Sequence, residues 1–265
     1  MSVPLRKANL LKGWSLQAQT IHALIIRDMM MRYGRDNIGF VWVILEPMIL
    51  TLGVMFIWSA MGHESHGVKI IEIVLTGYMP LTLWRHLTGN VVGIFRGSVG
   101  MLYHRRVTPL DLVASRQFLE VLGTSAALFV VYITLSLAGI IDELQRLDLV
   151  LLGWFMMAWI GIAFGALLSC WTEKYEVAER FVAPLQYLNI PISGCFFFVD
   201  WLPTWGQNLI MYHPLVHCYE VFRAGYFGNS IVTHYNLAYF TACAFIFSFF
   251  ALRGIDKIRV HIRLS

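Results

Sequence analysis

Apolar runs close to the length of a bilayer-crossing helix recur along the chain, separated by short polar breaks. Six approach or reach the roughly 20 residues that cross a hydrocarbon core of about 30 Å: 38–61, 70–95, 112–141, 149–171, 181–198 and 237–255. None shows the strict alternation of a lipid-facing barrel strand, and only a helix satisfies its own backbone within one segment. The pattern therefore predicts an all-α integral membrane protein of six transmembrane helices. Arg85 and His86 interrupt the second run, and Arg116 and Glu120 the third.

Three stretches outside the clean runs have their own patterns. Over residues 15–37, at 100° per residue, Asp28, Arg32 and Arg35 fall on one stripe and Ile26, Met29, Met30 and Tyr33 on another, which predicts an amphipathic helix lying in the membrane interface. The fifth run is short, contains Pro184 and Pro191, and carries Gln186, Asn189 and Ser193 at depths where lipid does not accept polar groups cheaply. Ten of the thirty-two residues over 196–227 are aromatic. That stretch is too apolar for a free loop and too interrupted to span, so it reads as re-entrant or interfacial helices. The resulting division is a cytoplasmic arm over 1–37, a transmembrane domain over 38–255 and a cytoplasmic tail over 256–265.

Composition fixes the class. The 265 residues are 58% apolar and 14% charged, with a mean hydropathy of +0.64, which excludes an ordinary water-soluble globule. Seventeen of the twenty Lys and Arg fall in the N-terminal arm, the 85–116 region, the 172–180 loop and the C-terminus, against Lys69, Arg146 and Arg223 in the remaining loops. This bias places both termini in the cytoplasm. It also accounts for the net charge of +4 without a basic face for nucleic acid. The polar first fifteen residues show no secretory signal, so the N-terminus is expected to be retained. Cys170, Cys195, Cys218 and Cys243 have no metal or redox spacing and read as buried small residues, and His63, Glu64 and His66 sit too close together in a short loop to argue a metal site.

Several residues point to chemistry within the bilayer. Glu46, next to the kinking Pro47, and Arg85 are intramembrane charges, which are functional candidates by default. Arg85 and Arg96, eleven residues apart, are expected on one side of a helix, as partners of Glu46 and Glu120 or along a polar path. Gly89, Gly93 and Gly97 repeat at the spacing that lets another helix approach. Tyr103, His104, Arg105 and Arg106 form a compact cluster before Pro109, suited to docking a cytoplasmic partner, and the 172–180 loop is a second cytoplasmic candidate. No phosphate-cradling Gly-rich loop, zinc helix or nucleophile turn is present in the sequence, so nucleotide hydrolysis is not expected from this chain.

Arg32-Tyr33 in the basic amphipathic arm, Gly39-x-x-Trp42, Leu45-Glu46-Pro47, Gly77 with Trp84, and the 102–109 segment together resemble the membrane subunit of type-2 ATP-binding-cassette exporters. Ser193-Gly194, Phe196 to Phe198, Pro214, His217, Glu220 and Arg223 are similar to the capsular polysaccharide export permeases. The likeness runs from about residue 27 to 255. It departs at His213-Pro214, where the family has Asn-Pro, and at Arg85, where an aromatic residue usually follows the tryptophan.

The resemblance implies a homodimer in the bacterial inner membrane, served by a pair of separate cytoplasmic P-loop ATPase subunits that carry the ATP and Mg. It implies no cofactor and no catalytic residue in this chain itself. The cargo would be a glycolipid, an anionic capsular polysaccharide on a lipid anchor. Arg27, Arg32 and Arg35 would receive its phosphate-bearing end, and Trp42, Glu46, Trp84, Arg85, Phe196, Phe197 and Phe198 would line its path. A coupling helix would lie at Tyr103, His104, Arg105 and Arg106. Trp201, Trp205, Tyr212 and Tyr219, within 199–227, would form an outer gate, with periplasmic and outer-membrane export proteins beyond it. Two rivals stand beside this: an O-antigen, teichoic acid or small-drug permease of the same superfamily, and an intramembrane lipid-modifying enzyme using Glu46 or His86 as acid or base.

Overall fold

A computed structural model describes residues 10–33, 38–60, 68–102 and 107–264. The described residues form helices and turns without a β-strand. In order they are α1 (Leu10–Tyr33), α2 (Ile38–Ala60), α3 (Ile70–Gly89), α4 (Val99–Leu102), α5 (Pro109–Leu137), α6 (Leu147–Lys174), α7 (Glu179–Ile192), α8 (Thr204–Ile210), α9 (Pro214–Phe227) and α10 (Leu237–Leu264). Among the described residues three stretches are long and apolar enough to cross a membrane: Pro109–Leu137, Leu147–Lys174 and Leu237–Ile258. A further apolar stretch, Ile44–Ile57, lies within α2.

The boundaries differ from the apolar runs for local reasons. The second run is not one helix to residue 95, because α3 stops at Gly89 and Gly93 turns the chain at φ 65°. α5 begins before its apolar run. The Thr108 hydroxyl accepts from the Asp111 amide, the Asp111 carboxylate accepts from the Thr108 amide, and Pro109 occupies the first turn, a capping box that sets the start. Its far end comes at Leu137, just before Gly139 at φ 67°. The fifth run is helical only to Ile192, so α7 has 14 residues, about 21 Å at ~1.5 Å per residue, less than a bilayer needs.

α6 is the central post, packed against α3, α9 and α10. Its glycines set those distances. A methyl group on Gly153 would lie 2.6 Å from the Phe222 amide nitrogen of α9, and one on Gly165 would lie 2.2 Å from the Leu87 carbonyl oxygen of α3. α9 answers with Gly225, whose added methyl would lie 2.4 Å from the Val150 nitrogen. The Gly89, Gly93 and Gly97 repeat does not act as a helix ridge. Gly89 faces the Gln186 side chain, Gly93 sits in the turn, and a methyl group added to Gly97 would meet nothing within 4 Å.

The two ends of the bundle are tied differently. At the end where α3 and α6 begin and α9 finishes, buried Glu72 accepts from the Asp142 amide at 2.7 Å and Lys69 pairs with Asp142. The hydrogen bond to that exposed carboxylate raises the Lys69 pKa. At the other end α1 lies on α5, with Gln17 Nε2 donating to Asp111 at 3.1 Å. A second apolar core of Leu24, Phe95, Leu112, Ala166 and Ala251 fills the space beneath.

Gly165→Val is expected to destabilise the detergent-solubilised protein by about 1–3 kcal/mol, because the α3 backbone cannot retreat without strain. Gly53→Ala, in open space on α2, should be neutral or gain up to about 1 kcal/mol. Fluorescence-detected thermal unfolding of the two variants checks the contrast.

Candidate functional site

The chain between α7 and α8 leaves helical geometry where it lies against α9 and α3. Arg223 of α9 is fully buried and holds it. One terminal nitrogen donates to the Gly194 carbonyl at 2.8 Å and to the Phe197 carbonyl, and the other to the Cys195 carbonyl at 2.6 Å. The guanidinium lies over the Phe198 ring, 4.4 Å from its centroid, and 5.7 Å from the centroid of Tyr219. One turn back, the buried Glu220 accepts from the Val199 amide at 3.3 Å and the His234 amide at 2.8 Å. Opposite charges three residues apart thus take the loop's carbonyls and amides separately, the pairing that buried peptide groups need. Gly77 of α3 lets the loop pass. A methyl group there would meet the Cys195 carbonyl at 2.0 Å.

The proposed outer-gate and path aromatics divide over this hairpin. Phe198 is buried, while Phe196 and Phe197 are half-buried. Trp201 packs on Phe198 with centroids 4.6 Å apart, and Tyr219 is wholly interior. Trp205 and Tyr212 are 72% and 73% exposed. Tyr239 Oη donates to the Tyr212 carbonyl at 2.8 Å, which ties α8's exit to the start of α10.

On α3, adjacent residues face opposite ways. Trp84 is buried and stacks on Phe164 of α6 at 6.3 Å. Arg85 is half-buried, its guanidinium 5.2 Å from the ring centroid of Tyr187 on α7. Gln186 fixes the junction, donating to the Arg85 carbonyl at 3.2 Å and the Thr88 hydroxyl at 2.7 Å. Glu120 pairs with His86 at 3.1 Å. On α2, Trp42 is exposed and Glu46 half-buried.

Arg96 does not share a helix face with Arg85, because the turn at 90–98 separates them. It fans instead onto the α6–α7 turn, pairing with Glu179, lying 3.7 Å from Glu173 and 3.8 Å from Glu176, and donating to the Thr172 carbonyl at 2.7 Å. On α1, Arg27 pairs with Asp28, and buried Asp28 also meets Arg116 of α5 at 3.4 Å. Arg27 is thus held in a three-charge cluster at the α1–α5 contact. The Arg32 side chain, Arg35, and the whole of Tyr103, His104, Arg105 and Arg106 lie outside the described residues.

The sequence reading missed the Arg96 fan, the Glu72–Asp142 link and Gln117, which donates to the Ile162 carbonyl at 2.9 Å. Each is a polar residue at the edge of an apolar run, and that position was the available signal. Among the described residues no group of three or more His, Cys, Asp or Glu could hold a metal ion.

Removing the Arg223 guanidinium would leave three carbonyls unpaired, each worth roughly 1–3 kcal/mol when buried. Arg223→Met is therefore expected to lower the thermal midpoint by about 6 °C or more. Arg223→Lys should recover less than half of that shift, since one ammonium cannot span the three acceptors. Unfolding followed by tryptophan fluorescence measures both.

Residues 19–227 match the family model described as ABC-2 type transporter. The capsule polysaccharide export inner-membrane protein CtrC of Neisseria meningitidis serogroup A is 33% identical over 254 residues, covering 96% of each chain. The capsule polysaccharide export inner-membrane protein BexB of Haemophilus influenzae is 34% identical over 226 residues, 85% of each chain. The polysialic acid transport protein KpsM of Escherichia coli is 26% identical over 238 residues, 86% of this chain and 90% of the relative.

Proposed function

The chain belongs to the ABC-2 type transporter family, and on that premise we propose that it is the membrane permease of a capsule polysaccharide exporter in the bacterial inner membrane. The observation that carries this is end-to-end similarity to inner-membrane capsule export proteins. On this reading the working unit is two copies of the chain with a pair of cytoplasmic P-loop ATPase subunits, which bind the ATP and Mg. The cargo is an anionic polysaccharide on a lipid anchor. Periplasmic and outer-membrane export proteins would carry it onward.

The distribution of charge supports the orientation. Lys69 and Arg146 stand at the end where α3 and α6 begin, whereas Arg27, Arg96, Lys174, Arg180 and Lys257 gather at the other. By the positive-inside rule this distribution supports a cytoplasmic second end. Coupling enters at Tyr103, His104, Arg105 and Arg106, directly after α4. Arg27, Arg32 and Arg35 lie along the arm where a phosphate-bearing anchor would arrive. The half-buried Arg85 and Glu46, the exposed Trp42, and Phe196 and Phe197 suit a polar path. Trp205 and Tyr212 suit an outlet. Trp84, Phe198 and Tyr219 serve that path from behind, as packing.

Affinity purification in mild detergent should recover a P-loop ATPase in equal amount with this chain, with magnesium-dependent hydrolysis. A stable preparation free of any ATPase would overturn the reading. Arg105→Glu should leave membrane insertion intact while cutting capsule export roughly tenfold or more, the scale of ~1.4 kcal/mol of lost coupling. Unchanged export would remove the coupling assignment.

A further inference from the structure

Arg85 stands where a free guanidinium is expensive. Its neighbour Leu87 packs on Gly161 and Gly165 of α6, nine to thirteen residues before α6 ends at Lys174. At ~1.5 Å per residue that is roughly 14–20 Å from the end of the bundle, and a side chain reaching about 6 Å does not bring its charge to the interface from there. Arginines at such depth are paired or face water.

Among the described residues Arg85 has no carboxylate within ion-pair distance. Glu120, one of the two partners that the sequence reading offers it, pairs with His86. The contact Arg85 does make is with the Tyr187 ring, and Tyr187 is itself 60% exposed. Tyr78, seven residues earlier on α3 and so on the same side, is half-buried and near enough to interact electrostatically with both. One phenol ring thus lies against, and a second stands on the same side of α3 as, a guanidinium that is half open and has no carboxylate partner among the described residues.

We propose that Arg85, stacked on Tyr187, is the residue through which the permease selects acidic glycans, pairing with a sugar carboxylate as the polymer crosses the membrane. This rests on the export reading, in which the cargo is already anionic, and adds the group on the sugar that is recognised and the side chain that recognises it. A guanidinium binds a carboxylate through two parallel hydrogen bonds. Rings beside it offer faces to the C–H side of a pyranose, as amphipathic recognition of a sugar acid requires. A lipid headgroup phosphate suits the position less well, since it belongs at the bilayer surface, and a lone phosphate would make no use of the rings.

The test uses the complete complex in lipid nanodiscs and the lipid-linked polymer extracted from the native envelope. The same material is also prepared with its carboxylates converted to neutral amides, which leaves the anchor phosphate charged. Polymer-stimulated ATP hydrolysis is the readout. For the wild type, neutralising the carboxylates should raise the half-saturating polymer concentration about tenfold, the loss of one charge-assisted pair.

Arg85→Gln should respond to both forms alike, Arg85→Lys should recover part of the discrimination, and Arg253→Gln, which removes a cation lying over Phe249, should discriminate as the wild type does. The proposal is overturned if the wild type responds equally to the two forms, a result that needs no variant to fold, or if Arg85→Gln still distinguishes them. If the complex hydrolyses ATP but no polymer stimulates it, the polysaccharide-export reading itself fails.

Discussion

A chain that abandons helical geometry within a membrane must find partners for its peptide groups inside the protein, because lipid offers none. Here that demand falls on the turn after α7, and α9 meets it with two charges of opposite sign. Arg223 takes carbonyls of residues 194, 195 and 197, and Glu220 takes the amides of 199 and 234. Arg223 and Glu220 can do this only if α9 lies close to the loop and rigidly against the bundle. The glycine contacts between α6 and α9 supply the second condition, and the absent side chain of Gly77 supplies the first. Glycine placement, buried charge and irregular backbone are thus parts of one solution.

How much of this could be read from the sequence follows from which forces are local. Apolar run length announces helices such as α6 and α10, since span length is a property of consecutive residues. The end of α3 was not visible that way. Residues 90–95 are mostly apolar and extend the run, but Gly93 adopts a positive φ, and the turn is fixed by the Arg96 contacts with α6 and α7, which lie some eighty residues away. The same error in helix extent put Arg96 on the face of Arg85 and made a packing ridge of Gly89, Gly93 and Gly97. The glycines that do set interhelical distances, Gly153, Gly161 and Gly165, lay within a run so uniformly apolar that nothing marked them.

The candidate path shows a finer limit. Trp84 and Arg85 are neighbours in sequence, and both stood out as unusual, yet a step of 100° puts one against Phe164 and the other beside Tyr187. Residue type alone did not separate packing from access, and helix phase relative to α6 did. Likewise Tyr219 and Tyr212 look equivalent in an aromatic-rich stretch, but one is sealed beneath Arg223 and the other stands open.

The Arg96 fan has a mechanical meaning. Its acids come from the last turn of α6, the turn that follows and the first turn of α7, and all three converge on one guanidinium three residues before α4 begins. Three glutamates so close together would repel one another and splay the junction. With the arginine among them they form a knuckle joining the foot of α7 to the segment leading into α4. α7 carries the irregular hairpin at its other end, so a push delivered at α4 would be relayed along α7 as along a short piston rod to the loop that Arg223 holds.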